Sequence, residues 1–170
     1  YGQRITENFK AIIEENIRAT LRRKVGSIEE AAKDIPIVAI MDNLISYAMS
    51  LRASDIHIEI LEDIILVRFR IDGILHEVAR MPKEVHAAVV ARIKLLAGLK
   101  MDEHQKPQDG RFRYKIGNDI LDIRVSVIPI FYGEKVEMRL LPSTQKPLSL
   151  EELGMFDDMK KMISENIHKS

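Results

Sequence analysis

The hydrophobic positions change period several times along the chain, and each change predicts an element. From Thr6 to Val25 the apolar residues Phe9, Ile12, Ile13, Ile17, Leu21 and Val25 recur at helical spacing, with Gly26 placed as a stop. Ser27 and Glu30 then form a capping-box pattern for a short helix limited by Pro36. Pro36 to Arg52 carries the strongest stripe: Ile37, Ile40, Met41, Leu44, Ile45, Ala48 and Met49. The period then falls to two, so that in Ala53 to Ile60 the isoleucines face one way while His57 and Glu59 face the other. A strand from Ile64 to Ile71 turns at Asp72-Gly73 into a third ending near Arg80, pairing Phe69 with His76, Arg68 with Glu77 and Val67 with Val78. His76 shares a face with Phe69 and Val78 and reads as a buried structural histidine. Pro82 opens a helix through Val85, Val89, Ile93 and Leu96 that Gly98 ends.

A polar loop, Lys100 to Gly110, leads into Pro107–Ser126, where a turn at Gln108-Asp109-Gly110 precedes a basic strand, a Gly117-Asn118 turn and a second strand. A two-residue loop there pairs Ile116 with Asp119, Tyr114 with Leu121, Arg113 with Asp122 and Arg111 with Arg124. The strand ends at Pro129, Tyr132-Gly133 turns the chain, and a last strand from Lys135 to Leu141 points Val136, Met138 and Leu140 inward. After Pro142 and Pro147, Ser149 and Glu152 form another capping box, Gly154 is a stop, and an amphipathic helix uses Met155, Met159, Ile163 and Ile167. Antiparallel turns and strict alternation predict an α+β domain with a mainly antiparallel six-stranded sheet, one face covered by helices and the other polar. The boundaries fall at 1–33 (helical linker or subdomain edge), 34–142 (the α/β domain) and 143–170 (linker and final helix).

Composition narrows the chemistry. The chain has 170 residues, 46% hydrophobic and 31% charged, enough apolar material for a core. Formal net charge is zero and aromatics make up 5%, which argues against a nucleic-acid-binding sheet with its stacking platforms. No cysteine is present, so disulfides and thiolate metal sites are excluded, and a reducing compartment fits. The apolar runs are far short of the ~20 residues of a membrane span. The chain opens at Tyr1 and closes inside a helical pattern at Ser170, and reads as an excerpt of a longer protein.

The polar sheet face gathers Arg68, Arg70, Arg111, Arg113, Arg124 and Arg139. One reading is an ordinary charged surface with Glu77, Asp122 and Glu137 as counter-ions. The other is a guanidinium clamp for phosphate or carboxylate, which the repelling Arg111/Arg124 juxtaposition favours. His57 and Glu59 have a spacing that could ligate a metal, but no third ligand is placed, and polar contact at the sheet surface accounts for both. No G-x-x-x-x-G-K-[ST] loop occurs, since Gly133-Glu134-Lys135 lacks the upstream glycine and trailing hydroxyl. By itself the chain is not expected to hydrolyse a nucleotide or to bind a cofactor.

Ala53-Ser54-Asp55-Ile56-His57-Ile58-Glu59, Arg68-Phe69-Arg70-Ile71-Asp72-Gly73, Pro107-Gln108-Asp109-Gly110-Arg111, Arg124-Val125-Ser126 and Gly133-Glu134-Lys135 followed by Met138-Arg139-Leu140-Leu141 stand in this order. Together they resemble the ATPases that power type II secretion and type IV pilus assembly, over the second amino-terminal, PAS-like domain between about Ile35 and Met155. The wording of the Ser-Asp-x-His segment differs from that usual in pilus retraction motors, favouring the assembly and export branch. The resemblance implies a parent ATPase using ATP and Mg2+, with a RecA-like nucleotide domain lying beyond this segment. It also implies a homohexameric ring, inner-membrane platform partners, no nucleic acid, and a cytoplasmic location at the inner face of the membrane. It places Arg111 and Arg124 at the nucleotide phosphates as arginine fingers. Asp55, His57, Glu59, Arg68, Arg70, Asp109, Arg113 and Arg139 then stand as interface or supporting residues. A scaffold or sensory PAS-like domain that never touches nucleotide is the alternative, and a deep apolar pocket inside the sheet would favour it.

Overall fold

A computed structural model describes residues 2–22, 34–116, 119–142 and 149–167. Helix α1 (Gly2–Arg22) precedes α2 (Ile35–Ser50), then strands β1 (Asp55–Ile60), β2 (Ile64–Ile71) and β3 (Ile74–Pro82). A short 3-10 turn over Lys83–Val85 leads into α3 (His86–Ala97). Strands β4 (Gln108–Ile116), β5 (Asp119–Ile130) and β6 (Gly133–Pro142) follow, and α4 (Asp157–Ile167) comes last. The strands form one antiparallel sheet in the order β3-β2-β1-β6-β5-β4. The fold is therefore α+β: two three-stranded meanders meet where β1 pairs with β6.

The alternating pattern decides which face is covered. Ile56, Ile58, Val67, Phe69, Ile123, Val127, Val136 and Met138 are fully buried beneath the helices. Each such side chain contributes roughly 1.5–3 kcal/mol by leaving water. Helix α2 is apolar almost all round, because α1 packs against the side turned away from the sheet. Phe9, Ile13 and Ile17 of α1 are buried, and the Phe9 ring stacks on Tyr47 at 4.1 Å. Pro36 stands in the first turn of α2. The helix ends through Arg52 at φ +53, with Ala53 N–H donating to the Ala48 carbonyl at 2.9 Å. Helix α3 ends at Gly98 in the left-handed region, where Leu99 N–H reaches the Lys94 carbonyl at 2.9 Å.

Most predicted pairings hold. The β4–β5 register joins Ile116 to Asp119, Arg113 to Asp122 and Arg111 to Arg124. The Gly117-Asn118 turn itself lies outside the described residues, as do Gly26, Ser27, Glu30 and Pro147. Asp72 and Gly73 both take positive φ, the mirror-image turn that matches strand twist. At the second capping box, Ser149 N–H donates to Glu152 Oε2 at 2.7 Å, and Glu152 N–H reaches Ser149 Oγ at 3.3 Å.

Four local expectations need correction. A bulge between Val67 and Arg68 pairs Val67 with Ala79 instead of Val78, so Val78 and Ala79 are both buried. His76 is exposed although its partner Phe69 is buried; it stands on the edge strand near the turn. Gln108-Asp109-Gly110 is the start of β4, not a turn, since the strand pairs from Gln108 onward. Strand β5 runs through Pro129 to Ile130, and the loop is Phe131-Tyr132. Proline is tolerated there because β4 pairing ends at Val127, leaving that edge of β5 free.

Candidate functional site

The polar face of the sheet is ordered in rows, because residues opposite one another on successive strands share a face. One row crosses five strands. Arg111 faces Arg124, Arg124 faces Arg139, Arg139 faces Asp55, and Asp55 faces Arg70. Sequence reasoning reached the first pair alone, since the β5–β6 and β1–β6 pairings depend on long-range topology. Arg111 and Arg124 are exposed, and neither has a carboxylate in salt-bridge distance among the described residues. A shallow cleft of about 580 Å³ lies over them, lined by Asp109, Arg111, Arg124, Ser126, Glu137 and Arg139. Asp109 is exposed opposite Ser126, two residues before Arg111 on the same face. Arg113 is outside this cleft and is bound to Asp122 at 2.9 Å, as the cross-strand pairing predicts.

Toward the centre of the sheet the charges are compensated. Asp55 is buried, and its Oδ1 accepts from Arg139 Nε at 2.9 Å. Its Oδ2 accepts from the Ser54 hydroxyl at 2.8 Å and lies 3.3 Å from Arg70 Nε. Burial alone would raise the Asp55 pKa; the bonds from Arg139 and Ser54 and the charges of Arg139 and Arg70 outweigh it and hold the carboxyl below its ordinary range. Glu59 behaves alike: burial opposes ionisation, but Lys135 at 2.7 Å and Arg68 at 2.6 Å hold its pKa down. Arg68 thus turns to β1 for its counter-ion and not to its cross-strand neighbour Glu77, which binds Arg80 at 2.6 Å.

His57 stands between Glu137 and Arg68 in the next row. It is buried, its Nδ1 is 3.9 Å from Glu137 Oε2, and neither ring nitrogen makes a hydrogen bond. Burial lowers its pKa, the Glu137 charge only partly opposing this, so the neutral ring is favoured. His57 and Glu59 do not join a third ligand; among the described residues no group of three metal-ligating side chains forms.

A second charged cluster escaped sequence reasoning. Lys94, fully buried in α3, places its Nζ 2.6 Å from Glu134 Oε1 and donates to the Glu103 carbonyl at 2.7 Å. His104 Nδ1 is 2.8 Å from Glu134 Oε2, and His86 donates from Nε2 to the Glu134 carbonyl at 2.8 Å. Desolvation lowers the His86 pKa against the raising influence of that carbonyl and the Glu134 charge. The Gly133-Glu134-Lys135 segment therefore has a physical role on both sides of the sheet. Glu134 ties β6 to α3, Lys135 neutralises Glu59, and Gly133 lets the strand approach His86, whose Cε1 a Cβ would meet at 3.1 Å. The sequence signal for this cluster was a lysine, Lys94, flanked by Ile93 and Leu95 in a largely apolar helical stretch.

A family model described as type II/IV secretion system protein matches residues 30–170. The chain belongs to that family. It is 39% identical over 140 residues to a type II secretion system protein E of Pectobacterium carotovorum, covering 82% of this chain and 28% of that protein. It is 42% identical over 131 residues to the type IV pilus assembly ATPase PilB of Myxococcus xanthus, covering 76% of this chain and 23% of that protein. The secretion-family chain thus spans about a quarter of the length of these relatives. The Legionella pneumophila ATPase DotB is a structural neighbour at 20% identity and TM-score 0.42, over 72% of this chain and 33% of that one. Among the described residues no helix is long and apolar enough to cross a membrane.

Proposed function

We propose that this chain is the amino-terminal, arginine-donating part of a secretion or type IV pilus-assembly ATPase. In this reading Arg111 and Arg124 meet the phosphates of ATP bound with Mg2+ by a nucleotide domain of the same or a neighbouring subunit. The observation that carries it is the exposed Arg111–Arg124 pair, two like charges held opposite each other with no described counter-ion. Such a pair weakens a sheet unless an anion completes it. Planar guanidiniums suit phosphate oxygens, and fixed charge placed where phosphoryl charge develops is worth up to ~10³–10⁵ in rate in other nucleotide hydrolases.

The proposal includes a ring hexamer whose domains close on nucleotide and pass that motion to a membrane platform from the cytoplasmic side. The covered face of the sheet counts against the sensory-pocket alternative, because its interior is filled by Ile56, Ile58, Phe69, Val127 and Met138. The test is ATP turnover of the full-length protein carrying Arg111→Ala or Arg124→Ala. Each substitution is expected to lower turnover at least about tenfold, with circular dichroism unchanged. Near-normal turnover in both variants would overturn the role.

A further inference from the structure

The arginine row does not stop at the proposed pair. Strand β5 lies between β4 and β6, so Arg124 has Arg111 on one side and Arg139 on the other. With neighbouring strands ~4.8 Å apart, the three positions span roughly 10 Å, an extended line of charge. One carboxylate, Asp55, shares the row with four guanidiniums. Its burial differs sharply from that of its partner: the Asp55 side chain is 4% exposed and that of Arg139 is 59% exposed. Asp55 binds the inner nitrogen, Nε, so the outer nitrogens of the exposed guanidinium are not engaged by it. Of these, Nη2 makes a loose ion pair with Glu137 Oε1 at 3.6 Å, too long for a hydrogen bond and open to replacement by a phosphate oxygen. The carboxylate is itself fixed by the Ser54 hydroxyl and by Arg70. A buried carboxylate, clamped from behind and gripping an exposed guanidinium by Nε, is the arrangement that fixes an arginine's direction with a planar fork left for a ligand.

We propose that Arg139 is a third phosphate contact beside Arg111 and Arg124, and that Asp55 is a positioning residue that holds the Arg139 guanidinium over the cleft. This rests on the phosphate reading of Arg111 and Arg124. The ligand class is a polyphosphate chain, long enough to meet successive guanidiniums along the row. The proposal makes a sign prediction that simple electrostatics reverses. Removing a negative charge beside a cationic site should tighten anion binding if Asp55 acts through charge alone. If it positions Arg139, its loss loosens binding.

The experiment is calorimetric titration of the full-length protein with inorganic tripolyphosphate at about 50 mM salt, where screening is weak. Arg139→Ala is expected to weaken binding about tenfold, and Arg111→Ala likewise. Arg139→Lys keeps the charge but loses the Nε contact and the fork, and is expected to weaken it nearly as much. Asp55→Asn is expected to weaken it at least about threefold despite the gain in positive charge. An Arg139→Ala affinity within about twofold of wild type, with Arg111→Ala and Arg124→Ala both weakened, removes the third contact and leaves the pair standing. Tighter binding in Asp55→Asn overturns the positioning role. If thermal melting shows that variant unfolded, wild-type affinity in Arg139→Lys overturns the same role. No binding by the full-length wild type, or equal binding in every variant, overturns the phosphate reading together with this one.

Discussion

Replacing Lys94 with Met tests the physical reading of the buried cluster most directly. Lys94 Nζ stands 2.6 Å from Glu134 Oε1 in a fully buried position. At an effective dielectric of about 20 the gross attraction is about 6 kcal/mol. Desolvation of the two ions costs several kcal/mol each, so the net worth of the intact pair is small. Breaking it is a different matter, because Glu134 would keep its burial and lose its cation, and the Glu103 carbonyl would lose one of its two donors, keeping Gln108 Nε2. The single variant is therefore expected to lose ~3–5 kcal/mol, a large part of a typical stability of 5–15 kcal/mol. For a chain of this size that lowers Tm by roughly 6–20 °C. The double variant Lys94→Met with Glu134→Leu removes both charges and is expected to recover most of the loss. Urea denaturation of the wild type, both single variants and the double variant gives the coupling as a cycle. A Lys94→Met loss under about 1 kcal/mol, or single losses that simply add, would refute the reasoning.

Other outcomes follow from the same structure. Gly110→Ala would set a Cβ 2.8 Å from Leu99 Cδ2 and 2.9 Å from the Ala97 carbonyl oxygen, so a loss of ~1–3 kcal/mol is expected in chemical denaturation. His57 and His86 are held neutral by burial, with folded pKa values below the ordinary 6.5. As pH falls below 6.5 the unfolded chain takes up protons that the folded chain refuses, so stability should fall, by at most about 1.4 kcal/mol per pH unit for each histidine. Denaturation midpoints at pH 7.5 and 5.5 check this; His57→Asn with His86→Asn should flatten the slope. Helix α4 buries none of its side chains, and deleting 149–170 is expected to move Tm by less than about 2 °C.

The alternating stretches determined a good deal by themselves. Period-two patterns at Ile56-His57-Ile58-Glu59 and Leu121-Asp122-Ile123-Arg124 assign each side chain to a face, because a one-residue slip would expose the whole apolar set. Short loops then set local register, which is why Arg111–Arg124, Arg113–Asp122 and Phe69–His76 were legible. Local rules lost their hold where something distant intervened. The bulge at Val67/Arg68 changed the phase of β3, and its edge position left His76 exposed. Gln108-Asp109-Gly110 has turn composition, yet pairing with β5 draws it into a strand. The site shows the same division. That Arg111 and Arg124 oppose each other follows from a hairpin. That Arg139, Asp55 and Arg70 complete their row, and that Lys94 meets Glu134, follows from bringing β1 beside β6 and α3 beside β6, contacts between residues tens of positions apart. Turn chemistry and periodicity carry no information across such distances; burial of the shared apolar face selects the pairing, and the charged row on the opposite face is its consequence.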